Sequence, residues 1–225
     1  MKTIIITGSS RGIGLATAKK FIDEGWRVIG TYSVNPIRID SPNLITVRLD
    51  QGSSDSIHQA VDQIKKLGLP INGLVNNAAV ALDAFESVAD VVKIRRTFDV
   101  DLFGVIEFTE KLVPSMTTGC HIINMSSSYG SFSFPVNGVN STGYRLAKAA
   151  INMYTRTLAF RLKDKGIVVA SLDPGWVKTD MGNSSATEIA KPDCEPEETA
   201  LDIYNLVTKI NETGYFWKFG KKREW

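Results

Sequence analysis

Two residues that could transfer a proton, Tyr144 and Lys148, are four positions apart in a segment predicted to be helical. Side chains at this spacing lie on one face of a helix. A lysine ammonium beside a phenol, with a cationic nicotinamide close by, favours the phenolate, so the pKa of Tyr144 is predicted to fall from about 10 toward the working range. Such a phenol can give a proton to a carbonyl oxygen or take one from an alcohol. Ser127, at the end of a predicted strand, could hydrogen-bond the same oxygen.

A glycine-rich turn near the start of the chain favours a catalytic pair over an ordinary pair on a helix surface. Three glycines follow the predicted strand Thr3–Thr7 and lead directly into a helix: Gly8, Gly12 and Gly14. In this context the first permits a tight turn, the second lets the backbone approach a pyrophosphate, and the third permits close packing of helix and strand. The free N–H groups at the helix N-terminus then attract the anion. A dinucleotide site is predicted here, with a turn that only reverses the chain as the alternative.

The end of the second predicted strand, Arg27–Tyr32, distinguishes the two nicotinamide dinucleotides. A carboxylate there, about 20 residues after the glycines, would bind the unphosphorylated ribose of NAD(H). No acid occurs before Asp40, so nothing repels a 2′-phosphate, and Arg11 in the turn could pair with it. Arg38 could share or take over that role. NADP(H) is therefore the predicted cofactor.

Alternation of short apolar runs with amphipathic segments predicts the elements that position these residues. The predicted strands are Thr3–Thr7, Arg27–Tyr32, Leu44–Leu49, Gly73–Val75, Cys120–Met125, Val168–Asp173 and Tyr215–Phe219. The predicted helices are Gly12–Glu24, Ser53–Leu67, a zone from about Ser87 to Met116 broken near Lys93, Tyr144–Lys165 and Glu195–Ile210. The fold class is α/β: one doubly wound Rossmann-type domain over residues 1–225, with a parallel sheet of about seven strands, helices on both faces and a substrate lid at about 175–194.

Composition narrows the range of partners. Lys and Arg total 26 against 24 Asp and Glu, a net charge of +2, which disfavours nucleic acid and anionic membranes. Lys221, Lys222 and Arg223 are predicted to form a solvated tail. No run approaches the roughly 18 apolar residues of a membrane helix. Two cysteines supply neither a disulfide framework nor a zinc site, so a cytoplasmic protein without a metal is predicted.

Five motifs, in this order, resemble those of the short-chain dehydrogenase/reductase family, and the resemblance covers essentially the whole chain. They are Thr7-Gly8-x-x-x-Gly12-x-Gly14, Asn76-Asn77-Ala78-Ala79, Asn124-Met125-Ser126-Ser127, Tyr144-x-x-x-Lys148 and Pro174-Gly175-x-x-x-Thr179. The residues around the Tyr144-x-x-x-Lys148 and Pro174-Gly175-x-x-x-Thr179 motifs are similar to those of sniffer-type carbonyl reductases and bacterial C-factor proteins. The pattern Gly214-x-Phe216…Gly220…Trp225 is similar to theirs as well. The resemblance implies hydride transfer between a nicotinamide and a carbonyl carbon.

The same resemblance implies roles for the catalytic residues. Ser127 would orient the substrate carbonyl, and Tyr144 would be the acid and base. Lys148 would hold the nicotinamide ribose and lower the pKa of the tyrosine. The family's fourth catalytic residue, an Asn in the long helix, falls on Asp101 in this chain. A buried Asp101 could pair with Lys148 and weaken its pull on Tyr144; the alternative is that Asp101 faces solvent.

Further roles follow for the cofactor. Asp50 would meet the adenine, and Asn76 would stabilise the central sheet beside the cofactor. The Val177 backbone and Thr179 would bind the carboxamide. Cofactor contacts are also implied for the other motif residues: Gly8, Ser10, Arg11, Gly12, Ile13, Gly14, Gln51, Asn77, Ala78, Pro174 and Gly175.

Three functions are open at the level of sequence. The first is an NADPH-dependent carbonyl reductase acting on a ketone, aldehyde or quinone. The second is a 3-oxoacyl reductase of lipid synthesis, which a basic docking patch for an acidic carrier would favour. The third is a non-catalytic NADP-binding signalling or redox-sensing protein, against which an intact Ser–Tyr–Lys set argues. The loop from Ser127 to Tyr144 is longer than is usual in the family, so the substrate does not follow from the resemblance, which also implies a homodimer or homotetramer.

Overall fold

The computed structural model describes residues 1–84, 86–136, 138, 140–186, 188 and 190–225. The strands are β1 (Thr3–Ile6), β2 (Arg27–Tyr32), β3 (Leu44–Arg48), β4 (Ile71–Asn76), β5 (Met116–Met125), β6 (Val168–Leu172), β7 (Tyr215–Lys218) and β8 (Lys221–Arg223). The helices are α1 (Gly12–Asp23), α2 (Ser54–Lys66), α3 (Val91–Phe98), α4 (Gly104–Leu112), α5 (Thr142–Leu162), α6 (Asp180–Ser184) and α7 (Pro196–Lys209).

The strands form one sheet in the order β3-β2-β1-β4-β5-β6-β7-β8. Neighbours from β3 through β7 are parallel, and β8 pairs antiparallel with β7. The direction of winding reverses between β1 and β4, which opens a crevice at the carboxyl ends of these strands. The predicted doubly wound Rossmann-type fold is confirmed, and its ligand crevice lies beside the glycine turn.

The continuous apolar run of β1 is explained by burial on both faces of the sheet. Ile5 packs into a core with residues of α2, α4 and α5, such as Phe108 and Leu158. Ile4 and Ile6 face the opposite side, where α1 and α7 cover the sheet. A strand with two covered faces cannot carry the polar alternation of a half-exposed strand.

The central helical zone differs from its prediction at both ends and at its break. It begins at Val91, where the Asp90 side chain accepts hydrogen bonds from two main-chain N–H groups, and it leads into β5 at Met116. Lys93 lies inside α3, so the predicted break there was wrong. The irregularity is a π-helical segment at Asp99–Phe103, directly before Gly104. A Cβ on Gly104 would lie 2.0 Å from the Gln51 carbonyl oxygen, so the close approach of these segments requires a glycine.

The basic run at positions 221–223 is not the solvated tail that the sequence predicts. It forms β8, paired with β7 through Phe216 with Arg223 and Lys218 with Lys221. The Lys222 ammonium pairs with the Glu212 carboxylate and lies 3.7 Å from the Tyr215 ring centroid. Strand pairing, ion pairs and ring contacts are not visible in a local charge count.

Cys120 and Cys194 are both unpaired and buried. Within the described ranges, no helix has the length and apolar character needed to cross a membrane. The same ranges hold no cluster of three or more His, Cys, Asp or Glu side chains placed to bind a metal ion.

Candidate active site

The glycine turn between β1 and α1 has the backbone shape that its sequence predicts. Gly8 and Gly12 have φ values of +68° and +54°, a region that side chains disfavour. A Cβ on Gly14 would lie 2.2 Å from the Gly8 carbonyl oxygen, so helix and turn pack closely. Among the described residues, no side chain caps the N-terminus of α1. The first N–H groups of the helix are therefore free to bind an anion such as a pyrophosphate.

Asn77 and Ala78 hold this turn from the neighbouring strand. The main-chain N–H groups of both donate to Thr7 Oγ1 at 2.9 Å. Asn77 Nδ2 also donates to the carbonyl oxygens of Thr7 and Gly8, at 2.8 and 3.3 Å. The predicted cofactor residues that follow β1 and β4 are thus brought together at the carboxyl ends of these strands.

Asn76 lies in the buried layer beneath that edge. Its Nδ2 donates to Asn124 Oδ1 of β5 at 2.8 Å and to Thr109 Oγ1 of α4 at 2.9 Å. Asn124 Nδ2 in turn donates to Thr155 Oγ1 of α5 at 2.9 Å. These bonds tie the two central strands to α4 and to α5, the helix that carries Tyr144 and Lys148.

Three arginines could recognise the ribose phosphate of NADP, which would lie near the end of β2. Arg11 is exposed, and its Nη1 pairs with Asp180 Oδ2 at 2.5 Å. Arg48, opposite Tyr32 in the β2–β3 register, donates from Nε to the Ser33 carbonyl oxygen at 3.3 Å. Arg38 is exposed beyond β2. Sequence reasoning overlooked Arg48, although pairing the ends of β2 and β3 would have located it.

Asp50 and Gln51 follow β3, and their side chains make hydrogen bonds to different parts of the chain. The Asp50 side chain accepts a hydrogen bond from the Gly52 N–H at 2.9 Å, so one of its oxygens shapes the local turn. The buried Gln51 side chain points into the fold and donates to the Val100 carbonyl oxygen at 3.1 Å. A cofactor contact from the Gln51 side chain is therefore not supported, because that side chain holds the π-helical segment.

Ser127 lies at the carboxyl end of β5, as predicted, and begins a short 3₁₀ turn. Its Oγ accepts a hydrogen bond from the Tyr129 N–H at 3.2 Å, and its side chain is close enough to Tyr144 to lower the pKa of that phenol. The turn packs against α5, because a Cβ on Gly130 would lie 2.5 Å from the Lys148 carbonyl carbon. The two hydroxyl groups are thus held together on one side of the crevice. Position 137 of the long loop that follows lies outside the described residues.

The first turn of α5 is held by a residue that the sequence did not single out. Asp83 is buried, and its carboxylate accepts hydrogen bonds from the main-chain N–H groups of Gly143 and Tyr144. Its carbonyl oxygen accepts a third from Ser141, which has a φ of +62°. A carboxylate at a helix N-terminus is electrostatically favourable. Asp83 therefore positions Tyr144, but it is 61 residues away in the chain, and no local pattern reveals it.

Lys148 and Asp101 form a buried ion pair. Lys148 Nζ lies 3.1 Å from Asp101 Oδ2, and the two side chains are 4% and 0% exposed. Lys148 also donates to the Met125 carbonyl oxygen at 3.2 Å, and Asp101 Oδ1 accepts from the Val80 N–H at 2.8 Å. The alternative that Asp101 faces solvent is excluded. The lysine ammonium lies 5.3 Å from the centre of the Tyr144 ring.

The protein's own groups raise the pKa of Tyr144, whereas the predicted lowering also counted on a bound cationic nicotinamide. Burial raises it above its usual value, and the Asp101 carboxylate adds to that effect, while Lys148 opposes both. Burial also raises the pKa of Asp101. Burial lowers the pKa of Lys148, but Asp101 and Tyr144 outweigh burial and raise it overall. The Asp101 carboxylate acts on the phenol in the opposite sense to the Lys148 ammonium, so it offsets part of the acidifying effect of the lysine.

The segment after β6 carries the remaining predicted cofactor residues. Pro174 and Gly175 turn the chain, with a Gly175 φ of +79°. Thr179 caps α6 by accepting from the Gly182 N–H at 3.0 Å, and its methyl group would lie 3.0 Å from a Cβ on Gly12. Val177 bridges Cys194. The end of the predicted lid at about 175–194 therefore pairs with its start. Positions 187 and 189 lie outside the described residues.

The comparisons with known proteins agree with this geometry. The family model described as "short chain dehydrogenase" matches residues 2–190. Serine 3-dehydrogenase of Rhizobium radiobacter is 31% identical over 221 residues, covering 91% of this chain and 86% of that protein. The carbonyl reductase Sniffer of D. melanogaster superposes with a TM-score of 0.87 at 27% identity and full coverage of both chains. A carbonyl reductase from chicken fatty liver, solved with NADPH, has a TM-score of 0.89 at 24% identity, covering 100% of this chain and 94% of that one.

Proposed function

From the premise that the chain belongs to the short-chain dehydrogenase family, we propose that this oxidoreductase is an NADPH-dependent carbonyl reductase. Its substrates would be small ketones, aldehydes or quinones. The observation that carries the proposal is the meeting of Ser127, Tyr144 and Lys148 at the carboxyl end of β5. A protein that only binds a dinucleotide has no need of a phenol with a hydroxyl and a lysine beside it, which argues against the signalling alternative.

The residues of the crevice fit a dinucleotide. The glycines of the turn leave room for a pyrophosphate, and the uncapped start of α1 supplies N–H donors. Asn77 and Ala78 fix the turn, and Thr179 lies against Gly12. When bound, the nicotinamide would supply the hydride.

The protein's own groups supply the proton. Ser127 would hydrogen-bond the substrate carbonyl oxygen, and the Tyr144 hydroxyl would donate its proton to that oxygen as the carbon is reduced. A raised pKa keeps Tyr144 protonated at neutral pH in the free protein, which favours reduction over alcohol oxidation. Lys148, held by Asp101 and by the Met125 carbonyl oxygen, would hold the nicotinamide ribose.

Asp101 acts through Lys148 in this proposal. The carboxylate fixes the ammonium, and its charge offsets the pull of that ammonium on the phenol. Its backbone belongs to the π-helical segment, where the regular hydrogen-bond ladder is interrupted. The main chain there would serve the proton relay that an Asn position serves in the family, while the side chain tunes Tyr144.

Preference for NADPH over NADH is supported by the charges around β2. No carboxylate stands at Tyr32 or Ser33. Arg48 donates to the Ser33 carbonyl oxygen, while Arg11 lies in the glycine turn and Arg38 follows β2. The experiment is steady-state turnover of NADPH and of NADH with a panel of ketones, aldehydes and quinones. A clear preference for NADPH in kcat/KM is expected. Equal values for the two cofactors would contradict the cofactor assignment, and no turnover with any compound would contradict the activity.

The loop beyond Ser127 supports substrates with apolar substituents. Phe132 and Val136 are 90% and 76% exposed, on the segment that leads away from the catalytic turn. For a 3-oxoacyl reductase, an acidic carrier would need free cations. Three of the four cations of the β7–β8 hairpin, Lys218, Lys222 and Arg223, pair instead with Asp173 or Glu212.

We further propose that one domain spans residues 1–225 and that it assembles as a homo-oligomer in the cytoplasm. Leu146, Met153 and Phe160 recur every seven residues along α5 and are 50%, 54% and 86% exposed. An apolar stripe of this length is favoured as a contact with a second copy. Sedimentation velocity tests it: Phe160→Glu is expected to shift a dimer or tetramer toward monomer, whereas a monomeric parent would contradict it.

A further inference from the structure

Asp173, the residue after β6, receives hydrogen bonds from the segments that follow β5 and β6. The side chain is buried. Its Oδ1 accepts from the Gly175 N–H at 3.0 Å, within the segment proposed to hold the carboxamide. Its Oδ2 accepts from Ser128 Oγ at 2.5 Å, and Ser128 is the residue after Ser127. One carboxylate thus joins the turn of the substrate-orienting serine to the segment of the cofactor.

The β7–β8 hairpin contacts the same carboxylate. Arg223 Nη1 donates to Asp173 Oδ2 and, at 3.1 Å, to Ser128 Oγ. Lys218 Nζ lies 3.2 Å from Asp173 Oδ2. The guanidinium also lies 5.0 Å from the centre of the Phe216 ring. The hairpin that the sequence did not predict therefore delivers two cations to one buried oxygen.

Main-chain bonds extend this contact along the loop. Ser131 Oγ donates to the Glu224 carbonyl oxygen at 3.1 Å. The N–H groups of Phe132 and Ser133 donate to the Trp225 carbonyl oxygen at 3.0 and 3.2 Å. The segment from Ser127 to Ser133 is consequently held between the hairpin on one side and α5 on the other.

We propose that Asp173 and Arg223 are positioning residues, which fix the Ser127 turn relative to the Pro174–Gly175 segment and so align the substrate carbonyl with the cofactor. The inference rests on the proposed function and goes beyond it, because it places a determinant of the rate in the hairpin. Displacements near 1 Å remote from the reacting atoms can lower rates by about a hundredfold. Neither residue touches the reacting groups.

The test compares substitutions on adjacent positions of β8. Arg223→Met removes the bonds to Asp173 and Ser128 and is expected to lower kcat by about tenfold, with the NADPH dissociation constant changed less than about twofold. Arg223→Lys, which keeps a cation for Asp173, is expected to regain most of the lost kcat. The matched control is Lys222→Met, because Lys222 pairs with Glu212 and not with Asp173; its kcat should equal that of the parent.

Asp173→Asn gives a different expected pattern. Because Asp173 also holds the Gly175 N–H, this variant should both lower kcat and weaken NADPH binding, each by about tenfold. Parent-like kcat in Arg223→Met, or equal losses in Arg223→Met and Lys222→Met, would overturn the inference.

Amide hydrogen exchange provides a readout that does not depend on turnover. In Arg223→Met, exchange is expected to accelerate over residues 128–133, and in Asp173→Asn over residues 128–133 and 175–179 together. Unchanged exchange in both variants would overturn the inference. If the parent reduces no carbonyl compound, the proposed function fails, and the exchange pattern still decides whether Asp173 joins the two segments.

Discussion

Two aspartates, Asp101 and Asp173, are equally buried, at 1% exposure each, but they differ in how their charge is balanced. Asp101 has one cation, Lys148, and one main-chain N–H donor, from Val80. Asp173 has two cations, a serine hydroxyl and a main-chain N–H donor. A buried carboxylate that depends on a single cation is left uncompensated when that cation is lost.

The difference separates two requirements of one reaction. Asp101 faces Lys148 and Tyr144 and so controls the charge around the proton donor. Asp173 adds only the smallest of the contributions that shift the pKa of Tyr144; it binds the backbone and hydroxyl groups of two segments and so controls their relative position. Electrostatic tuning needs a finely balanced charge, whereas positioning benefits from several simultaneous bonds.

Asp101 can tune the proton donor only if Tyr144 is that donor. Tyr144→Phe removes that proton and is expected to lower kcat by a factor on the order of 10²–10⁴, the usual contribution of positioned acid catalysis. Cofactor titration and thermal unfolding should match the parent, since only a hydroxyl is lost. If the purified variant retained more than about a tenth of the parent kcat, another residue would be the donor and the role of Asp101 would have no basis.

Replacing one lysine partner of each carboxylate tests how far the stability of the fold depends on that cation. Lys148→Met strands the Asp101 carboxylate and is expected to lower the free energy of unfolding by about 3–5 kcal/mol. Lys218→Met leaves Asp173 with Arg223 and is expected to cost about 1 kcal/mol or less. Urea unfolding of both variants gives the values.

The double variant Asp101→Leu with Lys148→Met is the control for the first of these effects. It removes both buried charges and should regain most of the lost stability. Equal losses in the two single variants would show that the second cation does not protect Asp173.

Asp101→Asn changes charge at the first site while keeping its shape. Because the carboxylate contributes to the raised pKa of Tyr144, the amide should lower that pKa. Reduction requires the protonated phenol, so its rate falls as pH rises through the pKa of Tyr144, and in the variant this fall should begin at lower pH. Alcohol oxidation requires the phenolate and should rise at lower pH.

Profiles of kcat/KM against pH in both directions check this expectation. At neutral pH the Asp101→Asn variant should keep or improve its activity. A loss of more than about tenfold would mean that the carboxylate itself is needed for the reaction.

The two aspartates also show which features of the fold and the site can be predicted from the sequence. Buried strands, glycine spacing and the four-residue interval of Tyr144 and Lys148 are local signals, and they predicted the fold and the meeting of Ser127 with Tyr144. The partners of Asp173 come from 45 and 50 residues away in the chain, and no local pattern encodes such pairs. Sequence also could not reveal how burial acts on Tyr144: burial is a property of the assembled core, and it outweighs the neighbouring Lys148 charge in raising the pKa of the phenol.

A third aspartate, Asp180, extends the comparison to an exposed carboxylate. It pairs with Arg11 at 2.5 Å, with the two side chains 74% and 73% exposed, and exposed pairs contribute little stability. Arg11 is therefore free to exchange Asp180 for a 2′-phosphate. Arg11→Ala is expected to raise the KM for NADPH several-fold and to leave that for NADH nearly unchanged, because only the phosphate contact is lost.

Asp180→Ala is the matched control: it breaks the same pair without removing the cation, so its KM for NADPH should be unchanged or lower. If both variants raised the KM for NADPH equally, the pair itself, and not the phosphate contact of Arg11, would be what the cofactor requires.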